Sequence, residues 1–327
     1  MKIFQRPRRL RSSPQLRRLV RETRVSPDAL ILPFFVREGT DIREGIPSLS
    51  GQIRYSPDTL HEGVAKAMEA GIRSFLLFGI PDRKDTEGSS AWAEDGVVQR
   101  ALRLTRERLP DAVLITDVCM CEYTDHGHCG AFENGRVDND KTLELLAKTS
   151  LSHARAGADM VAPSDMMDAR VAAIRERLDG DGFVDVPIMS YAAKYASSFY
   201  GPFREAAGSA PGVGDRKGYQ MDWHNRREAL KESLLDIDEG ADILIVKPAM
   251  AYLDIVADVA DVSDRPVAAY SVSGEYAMIR AAAEKGLVDG YGVMCESAAA
   301  IFRAGADILI TYFAAELAEA IRKGDLG

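Results

Sequence analysis

The chain has no apolar run approaching the roughly 18 residues that would span a bilayer, which excludes a helical membrane class. Its opening residues are charged and lack the apolar stretch and small-residue cleavage site of a secretory signal, so a cytoplasmic location is the expectation. Cysteine is scarce. Only four occur in 327 residues, and three of them, Cys119, Cys121 and Cys129, fall within eleven consecutive positions, which speaks for metal or redox chemistry over a disulfide framework. Cys295 stands alone and reads as an ordinary buried thiol. With 46% hydrophobic and 28% charged residues, the composition is that of a globular protein with ample core.

Charge divides the chain into a basic arm, residues 1–24, and an acidic body, residues 25–327. The arm carries Lys2 and eight arginines against Glu22, a net +8, which leaves −17 on the other 303 residues of a chain totalling −9. Nucleic acid is a poor partner for so acidic a body. An arm gripping the acidic surface of a neighbouring subunit satisfies both charges, so a homo-oligomer is expected.

Eight short apolar runs rich in β-branched or aromatic residues lie at 30–36, 74–80, 112–118, 160–164, 186–192, 242–247, 266–272 and 307–313. Segments with helical period lie between them, at 59–70, 97–108, 141–155, 166–178, 223–238, 252–260, 275–284 and 296–303. Continuous apolar runs mark strands buried on both faces, and alternation with helices makes the sheet parallel. A repeated joint supports this. Ala156-Gly157-Ala158-Asp159, Glu239-Gly240-Ala241-Asp242 and Ala304-Gly305-Ala306-Asp307 each close a helix on a glycine and open a strand, with Glu69-Ala70-Gly71-Ile72 a weaker copy. The predicted fold is therefore a (β/α)8 TIM barrel with an extended N-terminal arm; an open doubly wound sheet is the alternative.

In such a barrel the chemistry gathers at the C-terminal ends of the strands, and here those ends are polar: Asp117, Cys119 and Cys121; Ser164 and Asp165; Lys194; Lys247; Ser273; Tyr312. Lys194 and Lys247 end neighbouring strands, about 4.8 Å apart in an ideal sheet. Two amines sharing one desolvated pocket lose a proton more easily, which suits a nucleophile for a carbonyl carbon. The C-x-C-x7-C cluster supplies three thiolates, and three protein ligands leave a zinc position open for water or substrate, unless His126 or His128 closes it as a fourth ligand. Asp117 shares strand parity with Cys119 and Cys121 and either orients substrate or serves the structure.

Residues 195–222 form a long connection with five glycines, Pro202 and Pro211, the kind of segment that acts as a lid. Within it Arg204, Arg216, Lys217 and Gln220 offer donors suited to a carboxylate. On the helix at 223–238, Leu230, Leu234 and Ile237 form the apolar stripe and Glu232 faces away from the barrel.

The run Thr116-Asp117-Val118-Cys119-Met120-Cys121-Glu122-Tyr123-Thr124-Asp125-His126-Gly127-His128-Cys129-Gly130 resembles the zinc-binding segment of porphobilinogen synthases. So do Lys194 with Ala196-Ser197-Ser198-Phe199-Tyr200-Gly201-Pro202-Phe203-Arg204, the stretch Val246-Lys247-Pro248 with Met250-Ala251-Tyr252-Leu253-Asp254, and Tyr270-Ser271-Val272-Ser273-Gly274-Glu275-Tyr276-Ala277-Met278. Ser271 departs from the glutamine of many relatives. The resemblance implies condensation of two 5-aminolevulinate molecules, with Lys247 forming the first Schiff base and Lys194 the second. It implies that Ser273 and Tyr312 hold one carboxylate, and that Arg204, Arg216 and Gln220 hold the other. It implies zinc on Cys119, Cys121 and Cys129, an allosteric magnesium at Glu232, and an octamer held by N-terminal arms. Two alternatives stand beside it: a class I aldolase-type Schiff-base lyase, which needs one lysine and no cysteine cluster, and a non-catalytic scaffold that zinc holds together.

Overall fold

The computed structural model describes residues 5–327; the first four residues of the arm, Lys2 among them, lie outside the described part. Eight parallel strands form the barrel wall: β1 (Leu30–Arg37), β2 (Ser74–Ile80), β3 (Val113–Val118), β4 (Met160–Pro163), β5 (Met189–Lys194), β6 (Ile243–Lys247), β7 (Val267–Ser271) and β8 (Ile308–Thr311). Hydrogen bonding runs β4-β3-β2-β1-β8-β7-β6-β5, and a bridge between Val161 and Ile188 brings β4 to β5. The (β/α)8 barrel is the observed fold. A strand walled by neighbours on both edges and packed on both faces has no use for alternation, and seven of the eight β1 residues are buried.

The repeated joint has a mechanical role that its glycine alone does not reveal. Gly157, Gly240 and Gly305 take φ of 99°, 103° and 114°, turning the chain from helix to strand where a side chain would be strained. The aspartate two residues on then grips the neighbouring strand. Asp159 accepts from the Leu114 amide at 2.7 Å, Asp242 from Ile188 at 2.8 Å and Asp307 from Val267 at 2.9 Å. Each of these aspartates also donates its own amide to the carbonyl of the same residue. The joint thus sets strand register at three places around the barrel.

The helices are α1 (Leu60–Glu69), α2 (Val97–Arg108), α3 (Asn139–Arg155), α4 (Arg170–Gly180), α5 (Arg227–Asp238), α6 (Leu253–Val262), α7 (Ser273–Glu284), α8 (Gly290–Arg303) and α9 (Ala314–Lys323). Helix α4 starts four residues later than its periodicity predicts, because Met166 and Ala169 take positive φ and the Asp165 carboxylate binds the Met167 amide in a turn. Helix α8 starts six residues earlier than predicted, its first turn masked by Gly290 and Gly292.

The apolar stripe expected on α5 holds at Leu230 and Ile237, which pack against the core, and fails at Leu234. Leu234 is exposed, and the buried face is Ala229, Ser233 and Asp236. The reason is an ion pair: the Arg170 guanidinium, itself buried, meets both carboxylate oxygens of Asp236, at 2.6 and 2.9 Å, and Ser190 donates to the same carboxylate. A buried charge must be paired, so the helix turns a polar face inward.

In the arm, short helices at Pro7–Arg11 and Pro14–Leu19 bury none of their residues in this chain, and Leu10 and Leu19 are exposed. Among the described residues no helix is long and apolar enough to cross a membrane.

Candidate active site

Strand register decides where the two lysines stand. Lys247 pairs with Lys194 across β6 and β5, so their side chains leave the sheet side by side, each only 5% exposed. The Lys194 ammonium donates to the Ser164 carbonyl. Lys247 lies among aromatic rings, its Nζ 4.3 Å from the ring centre of Tyr270, 5.0 Å from Tyr191, and 5.2 Å from both Tyr200 and Phe203. Burial, and after it the neighbouring Lys194 ammonium, bring the Lys247 amine down to about 7. Burial acts on Lys194 the same way, but negative charge on Cys129, Cys119 and Asp117 outweighs it and holds its proton on. The pair divides into an amine that gives up its proton near neutral pH and one that keeps it.

Asp117, at the end of β3, accepts from Ser164 Oγ at 3.1 Å, and its other oxygen has no partner among the described residues. Burial, then the Glu122 carboxylate, push its acid strength down, so its proton is held more firmly than an exposed aspartate holds one.

The three clustered cysteines are buried free thiols whose sulfurs all lie within 4.8 Å of one another, Cys119 and Cys121 at 3.3 Å. Neither histidine joins them. His128 Nε2 faces the Val213 carbonyl at 2.8 Å and its Nδ1 the Tyr219 hydroxyl at 3.1 Å, which occupies both ring nitrogens. His126 is likewise engaged, with the Thr86 carbonyl and the His128 amide. The donor set is therefore three sulfurs, which leaves the open form of the two alternatives.

Residues 195–222 lie over this end of the barrel, with short helices at Ser198–Tyr200 and Gly201–Ala206 and irregular chain beyond. The irregular part is stitched to the cysteine loop. Besides the His128 contacts, the Gly212 amide donates to the His126 carbonyl at 3.0 Å and Arg216 to the Gly127 carbonyl at 3.0 Å. Gly127 has φ of 68°, and a Cβ there would stand 2.3 Å from the Ala210 carbonyl oxygen, so the two segments meet only because this residue is glycine. Arg204 Nε, Arg216 Nε and both amide atoms of Gln220 are buried with no partner among the described residues. Unpaired buried donors are costly unless a ligand meets them.

On the far side of Lys247, Ser273 begins α7 and Tyr312 follows β8, with the Tyr312 hydroxyl 3.2 Å from that of Tyr270. Glu232 lines a cavity of about 780 Å³ together with Asp168, Asp222, Glu228 and the lid residue Gln220, instead of facing open solvent. Burial raises the affinity of its carboxylate for a proton.

Sequence reasoning missed the aromatic cage of Tyr191, Tyr200, Phe203 and Tyr270. Register would have found one of them: Val246 pairs with Ala269, so Tyr270 is the lateral neighbour of Lys247.

A parallel barrel that gathers buried amines, thiols and carboxylates at the C-terminal ends of its strands is the architecture of a barrel enzyme. The particular family follows from comparison with known proteins. The model of the family described as "Delta-aminolevulinic acid dehydratase" matches residues 4–320, and the chain belongs to that family. Proteins named delta-aminolevulinic acid dehydratase from Methanothermus sociabilis and Bacillus subtilis are 55% and 50% identical to it. The first match covers 97% of this chain and 99% of the relative, the second 97% and 98%. The crystal structure of delta-aminolevulinic acid dehydratase (porphobilinogen synthase) from Toxoplasma gondii ME49, in complex with the reaction product porphobilinogen, superposes with a TM-score of 0.95 at 45% identity. It covers 97% of this chain and 91% of that one.

Proposed function

We propose that this chain condenses two molecules of 5-aminolevulinate into porphobilinogen with loss of two waters, working through Lys247 and Lys194. The observation that carries the residue assignment is the paired register of two buried lysines at the ends of β5 and β6. The family sets aside the aldolase and scaffold alternatives.

Lys247, with its free amine, attacks the ketone of the first substrate molecule, and the carbonyl oxygen leaves as water. The strand order β6-β7-β8 then puts Ser273 and Tyr312 on the side of Lys247 away from Lys194, where they receive that molecule's carboxylate. The second molecule lies on the other side, its ketone at Lys194 and its carboxylate under Arg204, Arg216 and Gln220. Asp117, which lines the same cavity as both lysines and Cys121, accepts or returns protons as the new bonds form. Two covalent anchors make the condensation intramolecular, and the lid excludes water.

Three buried thiols with both neighbouring histidines engaged fit zinc with one position open, held by Cys119, Cys121 and Cys129. Bound there, zinc supplies Lewis acidity toward the second substrate's carbonyl or amine. Magnesium is a proposal for Glu232: that ion keeps several of its waters and takes one or two carboxylates, and Glu232 shares a wide cavity with Asp168, Asp222 and Glu228.

The test of the reaction is direct. Given 5-aminolevulinate alone with zinc and reductant, the protein forms a pyrrole detected with an aromatic-aldehyde colour reagent; no pyrrole under those conditions rejects the reading. The lid assignment is tested by Arg216→Ala. With one clamp gone, the second substrate molecule binds about tenfold to a hundredfold more weakly while folding is retained, since charge-assisted bonds contribute about 1.5–3 kcal/mol each. Unchanged dependence of rate on substrate concentration rejects the clamp.

The arm supports an octamer. Leu10 and Leu19 are exposed, as are most of the arm's described arginines, and the body carries the opposite charge. Removal of residues 1–24 yields smaller particles by light scattering, and Glu232→Ala abolishes magnesium stimulation but leaves zinc dependence. A truncated protein of full size shows that the arm does not hold the subunits together.

A further inference from the structure

Glu275 belongs to a motif that the mechanism leaves unused, and it is 2% exposed. It is the third residue of α7, the position from which a glutamate commonly reaches back to the amide at the start of its own helix. One oxygen does this, accepting from the Val272 amide at 2.6 Å. That bond completes the local helix end. The other oxygen leaves the helix and accepts from the Met250 amide, also at 2.6 Å, with the Ala249 and Ala251 amides turned toward the same carboxylate. Residues 249–251 are the chain that emerges from β6 directly after Lys247 and Pro248, whereas Val272 immediately precedes Ser273. One buried carboxylate thus joins the loop of the Schiff-base lysine to the turn that carries a carboxylate-binding serine. Ser273 is fixed on its other side too, its Oγ accepting from the Phe203 amide at 3.0 Å and donating to the Phe199 carbonyl at 3.3 Å.

We propose that Glu275 is a positioning residue that fixes the separation between Lys247 and Ser273, and that this separation makes the first substrate site select a ketone and a carboxylate two methylenes apart. This rests on the assignment of Lys247 and Ser273 to one substrate molecule. Substrate length is otherwise hard to read, because an extra methylene in an apolar pocket is discriminated only weakly. Two anchors on separate strands can read it if neither loop drifts. Glu275 removes the drift by bonding both loops through one short, fully buried carboxylate.

The experiment is borohydride trapping at Lys247, mapped by peptide mass, with three ketone probes: 4-oxopentanoate, the one-methylene-longer 5-oxohexanoate, and acetone. The unaltered protein traps 4-oxopentanoate in preference to 5-oxohexanoate. Glu275→Gln, which cannot accept at both ends, lowers trapping of 4-oxopentanoate about tenfold and flattens the preference, from the loss of one charge-assisted bond. Acetone, which has no carboxylate to place, is trapped within about twofold of the unaltered protein, because the lysine itself is untouched. Glu275→Asp keeps the charge, shortens the reach and moves the preference the same way; it stands in if the glutamine variant does not fold. An unchanged length preference in either folded variant, or acetone trapping that falls in step with 4-oxopentanoate, overturns the proposal. No adduct at Lys247 in the unaltered protein overturns the assignment of that lysine and this proposal with it; an adduct there with an unmoved preference overturns this proposal alone.

Discussion

Borohydride added with 5-aminolevulinate traps a covalent adduct on Lys247, and the two lysine variants fail in different ways. Lys247→Ala loses both trapping and turnover. Lys194→Ala still forms the first imine at Lys247 but makes no pyrrole, because only the second anchor is missing. In each case turnover falls on the order of a thousandfold or more, as expected when a nucleophile is removed from a site whose parts act together. The asymmetry comes from the surroundings. Lys247 is enclosed by four aromatic rings, and burial together with the Lys194 charge brings its amine down to about 7. Lys194 feels negative charge on Cys129, Cys119 and Asp117, which holds its proton on.

The same surroundings set the pH dependence. The reactive form of Lys247 is the unprotonated amine, so trapping at that residue rises with pH through about 7 and levels off above it. An exposed lysine would need a pH near 10.4. The charged groups that set this midpoint are Lys194, Asp117, Glu122 and Cys121. An adduct confined to Lys194, or trapping at full yield in Lys247→Ala, reverses the roles.

Much of the barrel was legible because its signals are local. Helix α2 lies where its periodicity places it, over residues 97–108, and the Gly-Ala-Asp joints mark three strand entries before any contact is known. The two lysines and three cysteines were legible for a related reason: a strand end is a position in sequence, and in a barrel it is also a position in space. What stayed hidden depends on pairs distant along the chain. Helix α5 turns Ser233 and Asp236 inward for the sake of Arg170, 66 residues away from Asp236, and no window on the helix carries that information. Glu275 looks like a helix cap because half of it is one; its second oxygen serves a loop 25 residues earlier. The histidines illustrate a third limit. Their spacing beside the cysteines suits metal ligation, and only the structure shows both rings already engaged, His128 with the lid and His126 with Thr86 and the His128 amide.

Removing zinc is expected to abolish pyrrole formation and to loosen the lid in the same step. The thiol cluster and the lid share one set of contacts: the Cys129 amide approaches the Tyr219 hydroxyl at 3.4 Å, His128 between Cys121 and Cys129 holds Val213 and Tyr219, and Arg216 holds the Gly127 carbonyl. An ion held by all three sulfurs would close the loop that bears these contacts; without it, burial opposes ionisation of Cys119, and only a weak thiol hydrogen bond joins Cys119 to Cys121. Chelation therefore lowers activity and also exposes residues 207–222 to limited proteolysis, and zinc with reductant restores both, since thiol oxidation to a disulfide is reversible. Cys119→Ser reproduces the chelated state and weakens zinc binding by more than about a hundredfold, beyond the roughly 10–100-fold typical of losing a group that only hydrogen-bonds to a metal ligand. Elemental analysis, proteolysis and the pyrrole assay are run on the same samples. Full activity in protein shown to be metal-free removes zinc from the mechanism, and a lid equally resistant to protease with and without the metal shows that the cysteine loop keeps its shape unaided.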